Sequence, residues 1–166
     1  MTESYGISIL DKKRLKSVVL ESITGPDYVC FNIDPGTATP VYTSAPGKAF
    51  FAHLPEKQRK RLLPLIRFKT FTAHTLSNRH AFETEIEQIR KRGYATDFSE
   101  ETQGCHCGGV AILNSRNVPV AALWISGMSK RLSHPKLLTL IRVLQITARQ
   151  IEKELSDVSV LKPSRT

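Results

Sequence analysis

The stretch GCHCGGVAILNSRNVPVAALWISG, residues 104–127, does most to decide the fold. Two apolar runs, GGVAIL and VPVAALWISG, flank the short polar segment NSRN. Asn117 suits a turn position that needs a positive φ, so this pattern predicts a β-hairpin.

The faces of this predicted hairpin differ in chemistry. Strand alternation puts Cys105 and Cys107 on one face and His106 on the other. In the second strand, Trp124 and Ser126 share a face. A face that carries thiols, a hydroxyl and an indole is typical of a pocket wall, but a core that tolerates small polar groups explains it equally well.

The remaining strands and helices predict an α+β domain. Strands are expected at residues 5–10, 15–22 and 27–33, with a loop over 34–40. Four helices are expected: one from Pro46, one from Pro55, one ending at Gly93, and one from about His134 to Ser156. Their candidate N-caps are Thr43 or Ser44, Ser77 or Asn78, and Ser133. This order of strands and helices favours an antiparallel sheet covered by helices.

Length and composition indicate one globular domain. The chain has 166 residues, of which 40% are hydrophobic and 23% are charged, as in ordinary globular proteins. The N-terminus does not resemble a signal peptide, and no apolar run reaches the roughly 20 residues of a membrane span. We therefore expect a cytoplasmic protein that does not associate with membranes.

The net charge of +9 is concentrated in residues 48–69, where seven basic residues accompany the single acid Glu56. The segment EKQRKR is most simply the solvated face of a helix. A nucleic-acid patch is the alternative, but the segment lacks interleaved aromatic residues and a helix-turn-helix pattern.

The three cysteines, Cys30, Cys105 and Cys107, are expected to be free thiols, because an odd number without an export signal does not indicate a disulfide framework. Their spacing does not match a four-ligand zinc site or a C-x-x-C redox pair, so no metal or cofactor is expected. A nucleophilic cysteine would need an oriented base, and alternation turns His106 away from Cys107.

Four segments together resemble the effector-binding domain of IclR-type transcriptional regulators. They are TSAPGKAFFAHLP, FTAHTLSNRHAFETEIEQIRKRGYATD, GCHCGGVAILNSRNVPVAALWISGMSKRLS and the last helix, in the order and at the spacing of the family. The resemblance covers about residues 5–156. It implies a GAF-like fold, which is a curved antiparallel sheet flanked by helices. It also implies a small-molecule effector, dimers or tetramers, and no catalysis.

The resemblance also implies a set of ligand-binding residues. Asp97 matches the family's pocket acid, Cys107 its pocket cysteine, and Ser126 the second serine of its S-x-S-G motif. Ala45 and Pro46 stand where backbone amides of the family meet a ligand carboxylate, and Trp124 replaces the first serine of S-x-S-G.

Two of these residues depart from the family pattern. Pro46 has no N–H to donate, and Trp124 brings a large ring with one donor. Both argue against a very small carboxylate and leave a larger carboxylate or an aromatic metabolite as the expected effector. Two alternatives remain, a stand-alone interaction domain whose pocket Trp124 plugs and a cysteine-dependent enzyme.

The expected domain organisation is an effector-binding domain over residues 1–156 and a frayed tail over 157–166. No winged-helix segment is recognisable in the chain. Operator DNA is therefore expected to be contacted only through a separate helix-turn-helix domain, whose engagement the effector controls by shifting conformation or assembly.

Overall fold

A single antiparallel sheet of six strands organises the domain. The structure is a computed structural model and describes residues 3–26 and 31–160. The strand order across the sheet is β3-β2-β1-β6-β5-β4. The strands are β1 (Ser4–Asp11), β2 (Lys16–Ile23), β3 (Ala38–Pro40), β4 (Ala95–Phe98), β5 (Cys105–Leu113) and β6 (Pro119–Met128). The predicted α+β, GAF-like class with a curved antiparallel sheet is confirmed.

The predicted hairpin lies inside this sheet, between β1 and β4. Strands β5 and β6 pair antiparallel from Cys105↔Met128 to Leu113↔Pro119. Asn117 has φ 55° in the connecting turn, as expected. Strand β1 then pairs with the other edge of β6, so the N-terminal hairpin β1–β2 extends the sheet that the second hairpin begins.

The sequence patterns missed two short strands and wrongly placed residues 31–33 in a strand. Ala38–Pro40 forms β3, where a loop was expected, and Ala95–Phe98 forms β4. Residues 31–33 of the predicted strand 27–33 lie outside any strand, and residues 27–30, including Cys30, fall outside the described residues. Strands of three or four residues are too short to show alternation, which explains why β3 and β4 were not predicted.

The helices begin and end at the predicted signals. Ser44 caps α1 (Ala45–His53) and Asn78 caps α3 (Arg79–Arg92), and Gly93 ends α3 with φ 78°. Helix α2 (Glu56–Leu62) runs into a 3-10 turn (Leu63–Leu65) at Pro64. Helix α4 (His134–Val160) extends four residues past the predicted end at Ser156.

The helices cover the sheet from both sides. Helices α1 and α3 share one apolar cluster, centred on Phe51, Phe82 and Ile89. Helix α4 packs Leu137, Ile141 and Ala148 against the opposite face. Within the described residues, no helix is long and apolar enough to cross a membrane.

Two adjacent glycines let the helices approach the sheet closely. A Cβ on Gly108 would lie 2.6 Å from Cγ1 of Ile141 in α4, and one on Gly109 would lie 2.6 Å from the carbonyl carbon of Ala45 in α1. Because real Cβ atoms essentially never come this close, the GG pair holds the first turn of α1 tight against β5. This contact positions the candidate site.

Candidate functional site

A cavity of about 330 Å³ lies between the sheet, the first turn of α1 and the loop that follows β4. Its wall combines hydroxyls, two thiols, two carboxylates and a few apolar groups. The lining residues are Ser8, Ser17, Val19, Phe31, Asn32, Ile33, Thr37, Thr39, Ser44, Pro46, Asp97, Glu101, Thr102, Cys105, Cys107, Trp124 and Ser126. The volume is at the lower end of the range for small-molecule sites.

Five of the six sequence-predicted site residues line this cavity: Pro46, Asp97, Cys107, Trp124 and Ser126. The sixth, Ala45, is fully buried beside it and packs against Gly109. The structure therefore brings the predicted set together, although Ala45 itself does not line the cavity.

Strand register explains why three of these residues converge. Asp97 of β4 is the cross-strand partner of Cys107 in β5, and Cys107 is the partner of Ser126 in β6. Directly opposed residues of neighbouring strands point to the same face of a sheet. The carboxylate, the thiol and the hydroxyl therefore form one row across the cavity wall.

The polar atoms of this row contact each other and Cys105. The thiol of Cys107 donates to Oγ of Ser126 at 3.1 Å, and Sγ of Cys105 lies 3.3 Å from the same oxygen. The two sulfurs are 3.6 Å apart and both thiols are free. The hydrogen bond between the two thiols lowers the pKa of Cys105, and the same bond, together with burial, raises the pKa of Cys107.

Asp97 is almost completely buried, and burial raises its pKa to about 6, against the attraction of Lys48. Its Oδ1 accepts a hydrogen bond from the backbone N–H of Glu100 at 2.7 Å. No other hydrogen bond to this carboxyl group forms within the described residues, so its second oxygen is available to a ligand.

A buried ion pair stands behind Asp97. Nζ of Lys48, in α1, lies 2.5 and 2.7 Å from the two carboxylate oxygens of Glu100, and the Lys48 side chain is completely buried. Burial raises the pKa of Glu100 to about 7, and Lys48 opposes this rise. The pair ties the first turn of α1 to the loop that follows β4, the strand that carries Asp97.

Trp124 forms one wall of the cavity without filling it. Its ring lies over Gly6 of β1, where a Cβ would be 2.6 Å from Cζ2. The indole is 3% exposed, and a cavity of about 330 Å³ remains beside it. Its Nε1 is buried and has no hydrogen-bond partner within the described residues. The open volume argues against the alternative of a plugged pocket.

His106 faces away from the cavity, as strand alternation predicts. Its Nδ1 lies 2.8 Å from the carbonyl oxygen of Leu132, and its ring packs edge-on against Phe98, with centroids 4.9 Å apart. The imidazole therefore cannot act as a base for Cys107 in this arrangement.

The charge of the lining is acidic. Asp97 and Glu101 are its charged groups, and no lysine or arginine lines the cavity in the described part of the chain. Glu101 accepts a hydrogen bond from Thr43 at 2.8 Å, and burial raises its pKa. No group of three metal-ligating side chains occurs within residues 3–26 and 31–160.

Sequence reasoning missed several residues of this site. Lys48 was grouped with the solvated basic run. Its position two residues after Pro46, in the capped first turn of α1, was the signal that could have indicated its burial. Alternation placed Cys105 on the face of Cys107, but Cys105 was not among the predicted site residues. Ser8 and Ser17 come from the distant β1–β2 hairpin, and no local pattern brings them to the cavity.

One residue of the basic run helps to hold α1 and α2 together. Arg59 is half-buried and donates to the carbonyl oxygens of Ala52 and Leu54, at 3.1 and 2.9 Å, at the end of α1. Lys60 pairs with Glu56 on the exposed face of α2. This arrangement fits the interpretation as a solvated helix face.

The fold and the polar cavity define a class of protein, the α+β effector-binding domains of transcriptional regulators. The chain belongs to the family described as bacterial transcriptional regulator IclR C-terminal, whose family model matches residues 2–153. The resemblance stated from the sequence motifs is confirmed.

Individual relatives agree with this assignment. The HTH-type transcriptional regulator XynR of Escherichia coli is 32% identical over 139 residues, which cover 84% of this chain and 54% of XynR. The IclR structure from Thermotoga maritima superposes with a TM-score of 0.85 at 30% identity, covering 93% of this chain and 62% of that one. The chain thus spans about half the length of the curated relatives it matches.

A ligand complex is known for one structural neighbour. The inducer-binding domain of the PobR transcription factor from Acinetobacter was solved as a double mutant with 3-hydroxybenzoic acid. It matches 92% of this chain and 89% of its own with a TM-score of 0.81. At 20% identity, this similarity shows the shared fold alone.

Proposed function

We propose that this domain senses a small-molecule effector in the cavity lined by Asp97, Cys107 and Ser126. The observation that carries the proposal is their position as consecutive cross-strand partners on the wall of a cavity of about 330 Å³. Such a row offers an acceptor, a weak donor and a hydroxyl within one small volume.

The effector that fits best is an aromatic or carboxylate metabolite with a hydroxyl group. Trp124 supplies an apolar face against which a ring can pack. A carboxylate finds no lysine or arginine in the described lining, so it has to lie at the end of the cavity away from Asp97 and Glu101. A hydroxyl at the other end can donate to the second oxygen of Asp97.

Regulation follows from linkage between the cavity and the elements around it. The cavity contacts the first turn of α1 through Ser44 and Pro46, and the loop after β4 through Glu101 and Thr102. A ligand that binds one arrangement of residues 43–47 and 97–107 better than another shifts the population between them. In the complete regulator this shift controls how a separate helix-turn-helix domain engages operator DNA.

We infer no catalysis in this chain. The relatives are transcriptional regulators, and the imidazole of His106 is on the opposite side of β5 from the thiol of Cys107. We also infer a cytoplasmic location and a dimer or tetramer. Exposed apolar side chains on β2 and on α4 support an interface; they include Leu20, Ile23, Val143 and Ile146.

A thermal-shift screen tests the proposal. Small acids, hydroxyacids and aromatic acids are added to the domain, and at 100 times its Kd a true effector stabilises the fold by roughly 2.7 kcal/mol. The stabilisation should fall to about 1.4 kcal/mol or less in Ser126→Ala, where binding is expected to be at least about tenfold weaker. It should be unchanged in Lys60→Ala, which lies on the exposed face of α2. Undiminished stabilisation of Ser126→Ala would place the ligand elsewhere and contradict the proposal.

A further inference from the structure

Cys105 and Cys107 form a dithiol on the wall of the cavity, beyond what effector sensing requires. Both residues line the cavity, both thiols are free, and their sulfurs lie 3.6 Å apart. We propose that this dithiol is a bidentate binding site for trivalent arsenicals, meaning arsenous acid and its mono-organic derivatives.

The geometry favours a bridging atom over a disulfide. In an extended strand the Cα atoms of residues i and i+2, here Cys105 and Cys107, are about 6.6–6.8 Å apart. This distance is at the upper limit of the Cα separation in disulfides. The Cβ–Sγ groups are side by side, since residues i and i+2 of a strand point the same way. Direct S–S bonding would require β5 to bend, whereas an atom placed between the sulfurs leaves the strand unchanged.

The sulfur separation suits a thiophilic centre with two short bonds. With bonds of about 2.3 Å, the length of zinc–thiolate bonds, sulfurs 3.6 Å apart subtend an angle of about 103°. This angle is close to the one preferred by pyramidal and tetrahedral centres. The backbone therefore presents the two sulfurs at the spacing that a chelated atom needs.

Trivalent arsenic fits this site better than zinc. Structural zinc takes four ligands, and the described residues contain no group of three metal-ligating side chains. Arsenic(III) forms three bonds, so two thiols complete its coordination when the third substituent is a hydroxyl or carbon group of the ligand itself. The cavity of about 330 Å³ leaves room for that substituent beside Trp124.

The binding step balances without an oxidant. Two As–S bonds form, two As–OH bonds break, and each thiol proton leaves with one hydroxyl as water, so that arsenic stays trivalent. Ser126 supports the step because its Oγ, 3.3 Å from Sγ of Cys105 and 3.1 Å from Sγ of Cys107, can accept a hydrogen bond from a thiol. The lowered pKa of Cys105 eases formation of the first bond.

Phenylarsine oxide is the probe that tests the site. The chain is titrated with it in excess monothiol, which removes adducts on single cysteines and spares a chelate. Native mass spectrometry counts the adducts, and the fluorescence of Trp124, the single tryptophan of the chain, reports occupancy of the cavity. One adduct per chain, with a change in fluorescence, is expected.

Serine variants identify the ligands of the arsenic. Cys105→Ser and Cys107→Ser are each expected to weaken binding roughly 10²–10⁴-fold, the usual gain from an intramolecular second contact. Cys30→Ser is the matched control and should bind like the wild type. Cys107→Ala repeats the test if a serine disturbs the fold.

Three results would overturn the dithiol site. They are an absence of adduct in the wild type, undiminished binding by either single variant of the pair, and loss of binding in Cys30→Ser. None of them bears on effector sensing, because that proposal depends on stabilisation by metabolites under reducing conditions without arsenic.

Discussion

Lys48 and Glu100 form a buried ion pair, in which Nζ lies 2.5 and 2.7 Å from the two carboxylate oxygens. The pair joins the first turn of α1 to the loop after β4, and these are the two elements that close the cavity over the sheet. Asp97 is attached to the same unit because it accepts the backbone N–H of Glu100. Rigidity of the candidate site therefore depends on this pair.

Breaking the pair on one side should be costly. Lys48→Met leaves the Glu100 carboxyl group buried without its partner, and at a pH well above 7, where this group is ionised in the wild type, we expect a loss of about 3–5 kcal/mol in the free energy of unfolding. Urea denaturation measures it. Lys60→Met, which breaks the exposed pair with Glu56, is the control and should cost about 1 kcal/mol or less. A similar loss in both variants would show that the Lys48–Glu100 pair stabilises the fold no more than an exposed ion pair does.

The buried carboxyl groups should make stability depend on pH. Burial raises the pKa of Asp97 from 3.8 to about 6 and that of Glu100 from 4.5 to about 7. The folded state then binds protons more tightly than the unfolded state. The contribution of these groups is therefore fully present below about pH 4 and is lost as the pH rises to about 7.

Asp97→Asn removes one of these two contributions, the one lost between about pH 4 and 6. Removal of the titrating group should flatten the fall in stability there, by about 1.4 kcal/mol for each unit of pKa shift removed. Urea unfolding of both proteins across this range provides the comparison. Parallel pH profiles would show that Asp97 titrates at its ordinary pKa and is not buried as described.

Two helix caps offer a matched test of the cavity rim. Ser44 accepts the N–H of Gly47 at 3.2 Å, and Asn78 accepts that of Ala81 at 2.9 Å. Ser44→Ala and Asn78→Ala should each cost about 1 kcal/mol of stability. Ser44 lines the cavity and Asn78 does not, so only Ser44→Ala should also weaken effector binding, as measured by calorimetry. If Ser44→Ala and Asn78→Ala had equal effects on binding, Ser44 would not contribute to the effector site.

Alanine substitutions at Gly108 and Gly109 should have different effects, because these glycines of β5 face opposite sides of the sheet. Gly108→Ala meets the side chain of Ile141, whereas Gly109→Ala meets the backbone of Ala45. Overpacking of this kind costs about 1–3 kcal/mol. In double-mutant cycles, Gly108→Ala combined with Ile141→Ala should lose about 0.5–3 kcal/mol less stability than the sum of the two single losses, because Ile141→Ala removes the clashing side chain. No coupling to Ile141→Ala is expected for Gly109→Ala. Coupling to both glycines would contradict the assignment of opposite faces.

Local patterns predicted the central parts of this structure well. The hairpin around Asn117, the caps Ser44 and Asn78 and the terminating Gly93 each act within a few residues, so the sequence shows them directly. Alternation also assigned His106 and Cys107 to opposite faces of β5.

Features that depend on distant pairing were not predictable in the same way. The short strands β3 and β4 exist because longer neighbours supply their hydrogen-bond partners. The burial of Lys48 depends on Glu100, which lies 52 positions further along the chain. A lysine in a basic run is read as solvated unless the partner that neutralises it is known.

Calorimetric titration of the domain with the metabolite that stabilises it most in the thermal screen tests directly whether the cavity binds an effector. We expect one site per chain, with binding weakened about tenfold or more in Ser126→Ala through loss of a hydrogen-bonding group. Binding should be unchanged in Val143→Ser, which alters the apolar groove next to α4 on the other side of the sheet. Binding that is unaffected by Ser126→Ala but lost in Val143→Ser, or no binding by any acid in the screen, would show that the cavity is not an effector site.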